Sequence, residues 1–255
     1  MTRPFRERIA KAAAAKKSPV VLALDPPASR RGLPEFAAKT IRAVEQHVCA
    51  VKMNFHLILP LSAAEISRIN KLAHSFGLQS IADIKLNDIE NTNEVAVDHL
   101  LGMGFDAVIA NPFIGKGGLA ALVQKAHMLY AGVIALVYMS HPGAKEGFGL
   151  EVGGLGLYRE FLERADGAGA DGIVVGATQL DILRQVSRRL PVYSPGIGAQ
   201  GGDAGQALRS GADYLIIGRS IVEARQPAKI AKEIQDRILS MKDMGNKRDA
   251  FSRTR

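Results

Sequence analysis

The stretch IADIKLNDIENTN, residues 81–93, opens like a buried strand and then carries Asp83, Lys85, Asn87 and Asp88 within six positions. On a strand spanning 79–85, side chains alternate with period two, so Asp83 and Lys85 emerge on one face and Ile84 on the other. A carboxylate and an ammonium sharing one side of a strand end cost desolvation unless they are paired. A network kept at that cost is a candidate site for chemistry run by fixed charges. Two further strand ends extend the set: Asp25 closes the run VVLALD, and Lys52 stands in VKMN, which ends at Asn54. Each has an ordinary structural reading when taken singly: Asp25 as a helix cap or loop anchor, Lys52 as a snorkelling edge residue, Asp83 with Lys85 as a structural ion pair. Together, three strands bringing Asp, Lys, Asp and Lys toward one mouth form a pattern that solvation alone does not require.

A second signal lies near the end of the chain. SPGIGAQGGD (194–203) and IIGRS (216–220) supply glycines, Gln200 and Arg219. Glycine lets backbone N–H groups approach an anion, and Arg219 offers a fork of donors. Tight turns are the plain alternative, but loops after the last two strands of an eight-stranded barrel are where phosphate sites are often built. His141, in MSHPGA, precedes Pro142 and Gly143, and a turn with a loop hydrogen bond explains it as well as catalysis does. The six histidines are scattered, with no His-Glu-x-x-His, and Ser140 lacks a G-x-S-x-G elbow. No metal set is expected.

The elements that must position these residues follow from short apolar runs bounded by turn residues, each followed by a segment of helical pattern. Strands are expected at 20–25, 51–54, 79–85, 107–112, 132–138, 172–177, 192–197 and 214–220. Helices are expected at 34–47, 62–76, 91–103, 117–129, 156–169, 179–189, 203–210 and 221–240. Eight βα units in 255 residues match a (β/α)₈ TIM barrel, an α/β fold, with residues 1–255 as one domain. An open doubly wound sheet is the alternative, but LALDPPASRRG stands where a G-x-G-x-x-G would follow the first strand. Residues 143–156, rich in glycine, read as a mobile loop inside one unit. AGADGIVV and SGADYLII share a short helix-to-strand signature.

The net charge of +8 belongs to the ends. Residues 1–19 hold six basic side chains against Glu7, and residues 225–255 hold nine against four acidic ones, so each end carries +5 and the middle 8 − 10 = −2. These basic segments, 1–19 and about 241–255, read as solvating helix faces or frayed tails. Neither interleaves aromatics with its charges as single-strand binders do, so no nucleic acid is expected as a partner. One cysteine, Cys49, excludes an internal disulfide and fits a reducing cytosol. No apolar run approaches the roughly 20 residues that span a bilayer. The expectation is a soluble cytoplasmic protein with no membrane partner.

DIKLNDIENT resembles the D-x-K-x-x-D-I-x-x-T signature of the orotidine 5′-phosphate decarboxylase family, in particular its archaeal branch. LALD, VKMN, MSHPGA, SPGIGAQGGD and GRSI follow in that family's order and spacing, and the resemblance covers roughly residues 20–224. It implies loss of CO₂ from orotidine 5′-monophosphate to give UMP, in de novo pyrimidine biosynthesis, with no metal or organic cofactor. It implies that Lys85 protonates C6 of the pyrimidine, within an alternating network formed with Asp83, Lys52 and Asp88. It assigns Asp25 and Lys52 to ribose hydroxyls, Ser140 to the pyrimidine, and Pro195, Gln200, Gly218 and Arg219 to the phosphate pocket. It further implies a homodimer with shared active sites, in which Asp88, Ile89 and Thr92 serve the neighbouring subunit, and closure of 143–156 and 198–202 as lids.

Three rival readings are open to the same residues. A sugar-phosphate decarboxylase or aldolase of the same wider group would use Mg²⁺ and an added carboxylate, commonly a Glu ending strand two, where this chain reads VKMN. A non-catalytic nucleotide-binding barrel would not need a lysine between two carboxylates. Nucleic-acid binding through the basic ends would bring a strong salt dependence.

Overall fold

The computed structural model describes residues 3–27, 29–186 and 190–252, with side chains as far as Met241. Ten strands follow in chain order: β1 Val20–Ala23, β2 Ala50–Asn54, β3 Gln79–Leu86, β4 Ala107–Ala110, β5 Gly132–Tyr138, β6 Glu151–Val152, β7 Leu155–Gly156, β8 Gly172–Val175, β9 Val192–Pro195 and β10 Tyr214–Ile217. Strands β1 to β5 and β8 to β10 pair in parallel in that order, and β10 closes on β1 through Val20↔Leu215 and Leu22↔Ile217. The result is the expected eight-stranded (β/α)₈ barrel. Strands β1, β4, β5, β8 and β10 are buried throughout, because helices cover the outside while side chains fill the inside.

Local sequence explains how the units are joined. Ser62 and Glu65 form a reciprocal capping box at the start of helix Ala63–Ser75, and Asp203 caps Ala204–Arg209 by accepting from Gln206 N. The G-A-D signature recurs three times as G-x-D. Gly104, Gly169 and Gly211 take positive φ at the ends of their helices, and Asp106, Asp171 and Asp213 each follow two residues later. Each carboxylate then accepts the backbone N–H of the first or second residue of the preceding barrel strand: Ser80 N to Asp106 at 2.8 Å, Val133 N to Asp171 at 2.9 Å and Val192 N to Asp213 at 2.8 Å. The motif is a register clamp at the N-terminal end of the barrel.

The basic N-terminal segment does more than the expected solvation. It forms helix Phe5–Lys16, with Phe5 and Ile9 buried. The Phe5 ring lies where a Cβ on Gly132 would come within 2.4 Å of it, and Arg8 pairs with Asp106 at 3.0 Å. All of these partners sit at strand starts, so the helix plugs the end of the barrel opposite the strand C-termini. At the other terminus, the expected helix 221–240 is instead a short helix Arg219–Val222 followed by Pro227–Ser252. Gln235 of the long helix donates to Lys16 O at 2.6 Å and meets His47 Nδ1 at 2.7 Å, joining both ends of the chain. The end of the expected helix 179–189 lies outside the described residues beyond Val186; its described part is Leu180–Gln185. Among the described residues no helix is long and apolar enough to cross a membrane.

Candidate active site

The C-terminal strand ends surround a cavity of about 270 Å³. It is lined by Asp25, Lys52, Asp83 and Lys85 on one side, and by Ser140, Pro195, Gln200, Gly218 and Arg219 on the other. Nine of the expected site residues therefore converge. Ala23, Ile109, Leu136, Val174 and Ile216 form an apolar floor. Near the rim stand Asn54, Met139, His141 and Ile197. Nothing local in the sequence marks these floor residues, because a strand buried on both faces gives no periodic signal to separate inward from outward positions. Asn54 was legible only as a strand end; here its side chain caps the short helix Phe55–Ile58, accepting from His56 N.

The charged wall is an alternating chain. Lys52 Nζ donates to Asp83 Oδ2 at 2.7 Å, Lys85 Nζ donates to Asp83 Oδ1 at 2.7 Å, and Lys52 lies 3.8 Å from Asp25. The Lys52 side chain is 5% exposed, that of Asp83 10% and that of Lys85 38%, so the Lys85 ammonium is the open one of the three while its partners are sunk beneath it. Burial opposes charge on Lys52, but Asp83 and then Asp25 outweigh it and raise its pKa above the usual lysine value. Burial likewise opposes the Asp83 anion, yet Lys52 and Lys85 hold its carboxyl below the usual range. Both groups are therefore charged across the neutral range. Asp25 lines the cavity, and its Oδ1 is buried 3.8 Å from the Lys52 ammonium with no hydrogen-bond partner among the described residues. Gly218 allows this approach, since a Cβ there would stand 3.2 Å from Asp25 Oδ2 and 3.2 Å from Ala23 Cβ.

Strand alternation accounts for only part of this wall. β3 pairs with β4 as Ala82↔Val108 and then Leu86↔Ala110, so the register slips between them. Within the slip, Lys85 has φ of 48°, the left-handed region that a non-glycine residue occupies at a cost of about 1–2 kcal/mol. The irregularity, rather than simple period two, turns Lys85 back onto Asp83. Strain held at a charged cavity wall is a mark of a site selected for geometry. Arg219 also differs from expectation in its support: β10 ends at Ile217, and Arg219 opens the short helix after it.

Asp88, Ile89 and Thr92 do not reach this cavity in their own chain. They follow β3 and are exposed, Ile89 at 72%, with the Asp88 carboxylate accepting from Ile89 N at 2.7 Å. The segment 143–156 contains a 3₁₀ turn, Pro142–Glu146, and the β6–β7 hairpin. Its base is held by Phe148, which packs its ring 5.8 Å from Tyr138 and 5.9 Å from Phe161. His141 lines the cavity and is exposed. Among the described residues no group of three or more His, Cys, Asp or Glu side chains comes together to hold a metal.

Residues 18–234 match the family described as orotidine 5′-phosphate decarboxylase / HUMPS. The chain is 35% identical to the orotidine 5′-phosphate decarboxylase of Pyrococcus abyssi, over 86% of this chain and 98% of that protein. It is 37% identical to that of Methanosarcina barkeri, over 88% of this chain and 96% of that protein. The crystal structure of the Methanocaldococcus jannaschii orotidine 5′-monophosphate decarboxylase, complexed with the inhibitor BMP, superimposes with a TM-score of 0.74 at 30% identity, covering 85% of this chain and 96% of that one. Fold, cavity and sequence agree, and the chain belongs to the orotidine 5′-phosphate decarboxylase / HUMPS family, in company with archaeal decarboxylases.

Proposed function

We propose that the cavity decarboxylates orotidine 5′-monophosphate to UMP and CO₂ by the following division of labour. As the C6–carboxylate bond breaks, its electron pair stays on C6. The Lys85 ammonium, held ready by Asp83, stabilises that developing carbanion and delivers its proton to C6; the resulting amine regains a proton from solvent. Charges already fixed in place need little reorganisation during the reaction, which is the main source of catalytic stabilisation in a site of this kind. The observation that carries the reading is the Lys52–Asp83–Lys85 chain, two 2.7 Å ion pairs on one carboxylate at the wall of a cavity with an apolar floor.

Asp25 and Lys52 bind ribose hydroxyls, Ser140 the pyrimidine, and Pro195, Gln200, Gly218 and Arg219 enclose the phosphate. Asp25 Oδ1, buried beside the cavity with no hydrogen bond among the described residues, supports the first assignment. Asp88, Ile89 and Thr92 serve the partner's site in a homodimer, so that each cavity gains a second acidic group beside Lys85. Their exposure, together with that of Phe55 and Leu59 just after β2, supports such an interface. The segments 143–156 and 198–202 close over bound substrate. Residues 1–255 act as one unit in the cytoplasm, on a small molecule and without nucleic acid. The test is the ultraviolet absorbance of orotidine 5′-monophosphate mixed with purified protein and excess EDTA. Conversion to UMP supports the reading and its independence of a chelatable metal; no conversion by folded protein overturns it.

A further inference from the structure

Ser140 stands two residues beyond β5, and two glycines from other strands close on it. A Cβ on Gly176, just after β8, would lie 2.6 Å from Ser140 Cα, 2.8 Å from its Cβ and 2.9 Å from its N. A Cβ on Gly196, just after β9, would lie 3.0 Å from Ser140 Cβ and 3.0 Å from Gln200 Oε1. The two positions differ in why they exclude a side chain. Gly196 has φ of 96°, so its backbone alone favours glycine. Gly176 lies outside that region, and there the three nearest atoms that a methyl group would meet all belong to Ser140. Hydrogen bonds fix the same contact: Gly176 N donates to Tyr138 O at 3.0 Å, and Thr178 Oγ1 donates to Ser140 O at 3.2 Å.

We propose that Gly176, with Gly196 opposite, is a positioning residue: the two form a socket that sets where Ser140 stands in the cavity, and through it where the pyrimidine is held. The proposal rests on the assignment of Ser140 to the pyrimidine. The opposing atoms at Gly176 are main chain and Cβ, which cannot rotate away. Restoring an ordinary carbon–carbon separation of about 3.5 Å requires Ser140 to shift by roughly 1 Å. A misplacement of that size costs on the order of 100-fold in catalysis.

The test is a double-mutant cycle on kcat/KM, with inhibition by ribose 5-phosphate as the readout of the phosphate side. Gly176→Ala is expected to lower kcat/KM about 100-fold while ribose 5-phosphate inhibits as in the parent, since that ligand does not use Ser140. In a Ser140→Ala background the same substitution is expected to cost less than about threefold, because the group being displaced no longer contributes. A full loss in both backgrounds, or parental activity of Gly176→Ala, overturns the socket. Full activity of Ser140→Ala alone overturns the assignment of Ser140 beneath it, which keeps the two failures distinct. If Gly176→Ala does not fold, Thr178→Val decides: it removes the hydroxyl that holds the Ser140 carbonyl and adds no bulk. A loss of several-fold confined to the Ser140 background supports the socket, and no loss there overturns it.

Discussion

Lys52→Met tests whether the charged wall is held together as an ion network. Methionine keeps most of the lysine stem inside the barrel and removes only the ammonium. Asp83 would then face one cation where it had two, and Asp25 would lose the cation 3.8 Å away. At 2.7 Å the Lys52–Asp83 attraction is on the order of 6 kcal/mol at an effective dielectric of about 20. Desolvation of the ammonium offsets much of that gain, but removing one partner of a buried pair still costs about 3–5 kcal/mol, because the other charge is left behind. The lower figure applies here, since Lys85 continues to donate to Asp83 Oδ1. For a domain of this size about 3 kcal/mol corresponds to a fall in Tm of roughly 6–12 °C. Differential scanning calorimetry reads it directly. Asp83→Asn combined with Lys52→Met should cost less than the sum of the two single changes, because the pair is coupled. A Lys52→Met protein that melts within about 2 °C of the parent, or above it, would show that the wall is not held together as an ion network.

Three other outcomes follow from the same geometry. The Asp83 carboxyl is held below its ordinary value of 3.8, so its pairing contributes above that pH and is lost as pH falls through the lower folded value; Lys52 is raised above 10.5, so its contribution is present below that pH and is lost as pH rises through the higher one. The Tm difference between the parent and Lys52→Met should thus stay level between about pH 4 and 10 and shrink below and above that range, and a difference that vanishes near neutrality would contradict the pairing. Because Lys85 adopts φ of 48°, Lys85→Gly should be more stable than Lys85→Ala by about 1 kcal/mol in urea unfolding; equal stability would mean that no strain is stored there. Finally, Asp88→Ala and Lys85→Ala proteins, each inactive, should recover about a quarter of parental activity when mixed in equal amounts and allowed to exchange subunits, as one intact site per hybrid dimer requires. No recovery under demonstrated exchange would count against a shared site.

The sequence carried the barrel because most of its eight strands are short apolar runs, several of them preceded by glycine-marked helix ends. It carried the charged wall because Asp25, Lys52, Asp83 and Lys85 are costly residues at strand ends. What it carried less well depends on contacts distant in sequence. Phe5 and Ile9 look like scattered apolar residues in a basic segment until Gly132 and the strand starts are in place to receive them. The slip in β3 is invisible locally, so alternation gave the correct face for Lys85 by an incomplete route. Ile109, Leu136, Val174 and Ile216 form the floor only because the closed barrel selects one side of each buried strand. Gly176 looks like one glycine among 26 until the end of β8 is laid against Ser140.

The central claim is that Lys85, held by Asp83, supplies the proton that replaces CO₂. It is tested most directly by following the absorbance of orotidine 5′-monophosphate with the parent and with Lys85→Ala, while UMP binding to each is measured by titration calorimetry. Conversion is expected with the parent and none with the variant, with UMP affinity largely retained in both. Turnover by Lys85→Ala at a rate comparable to the parent would contradict it.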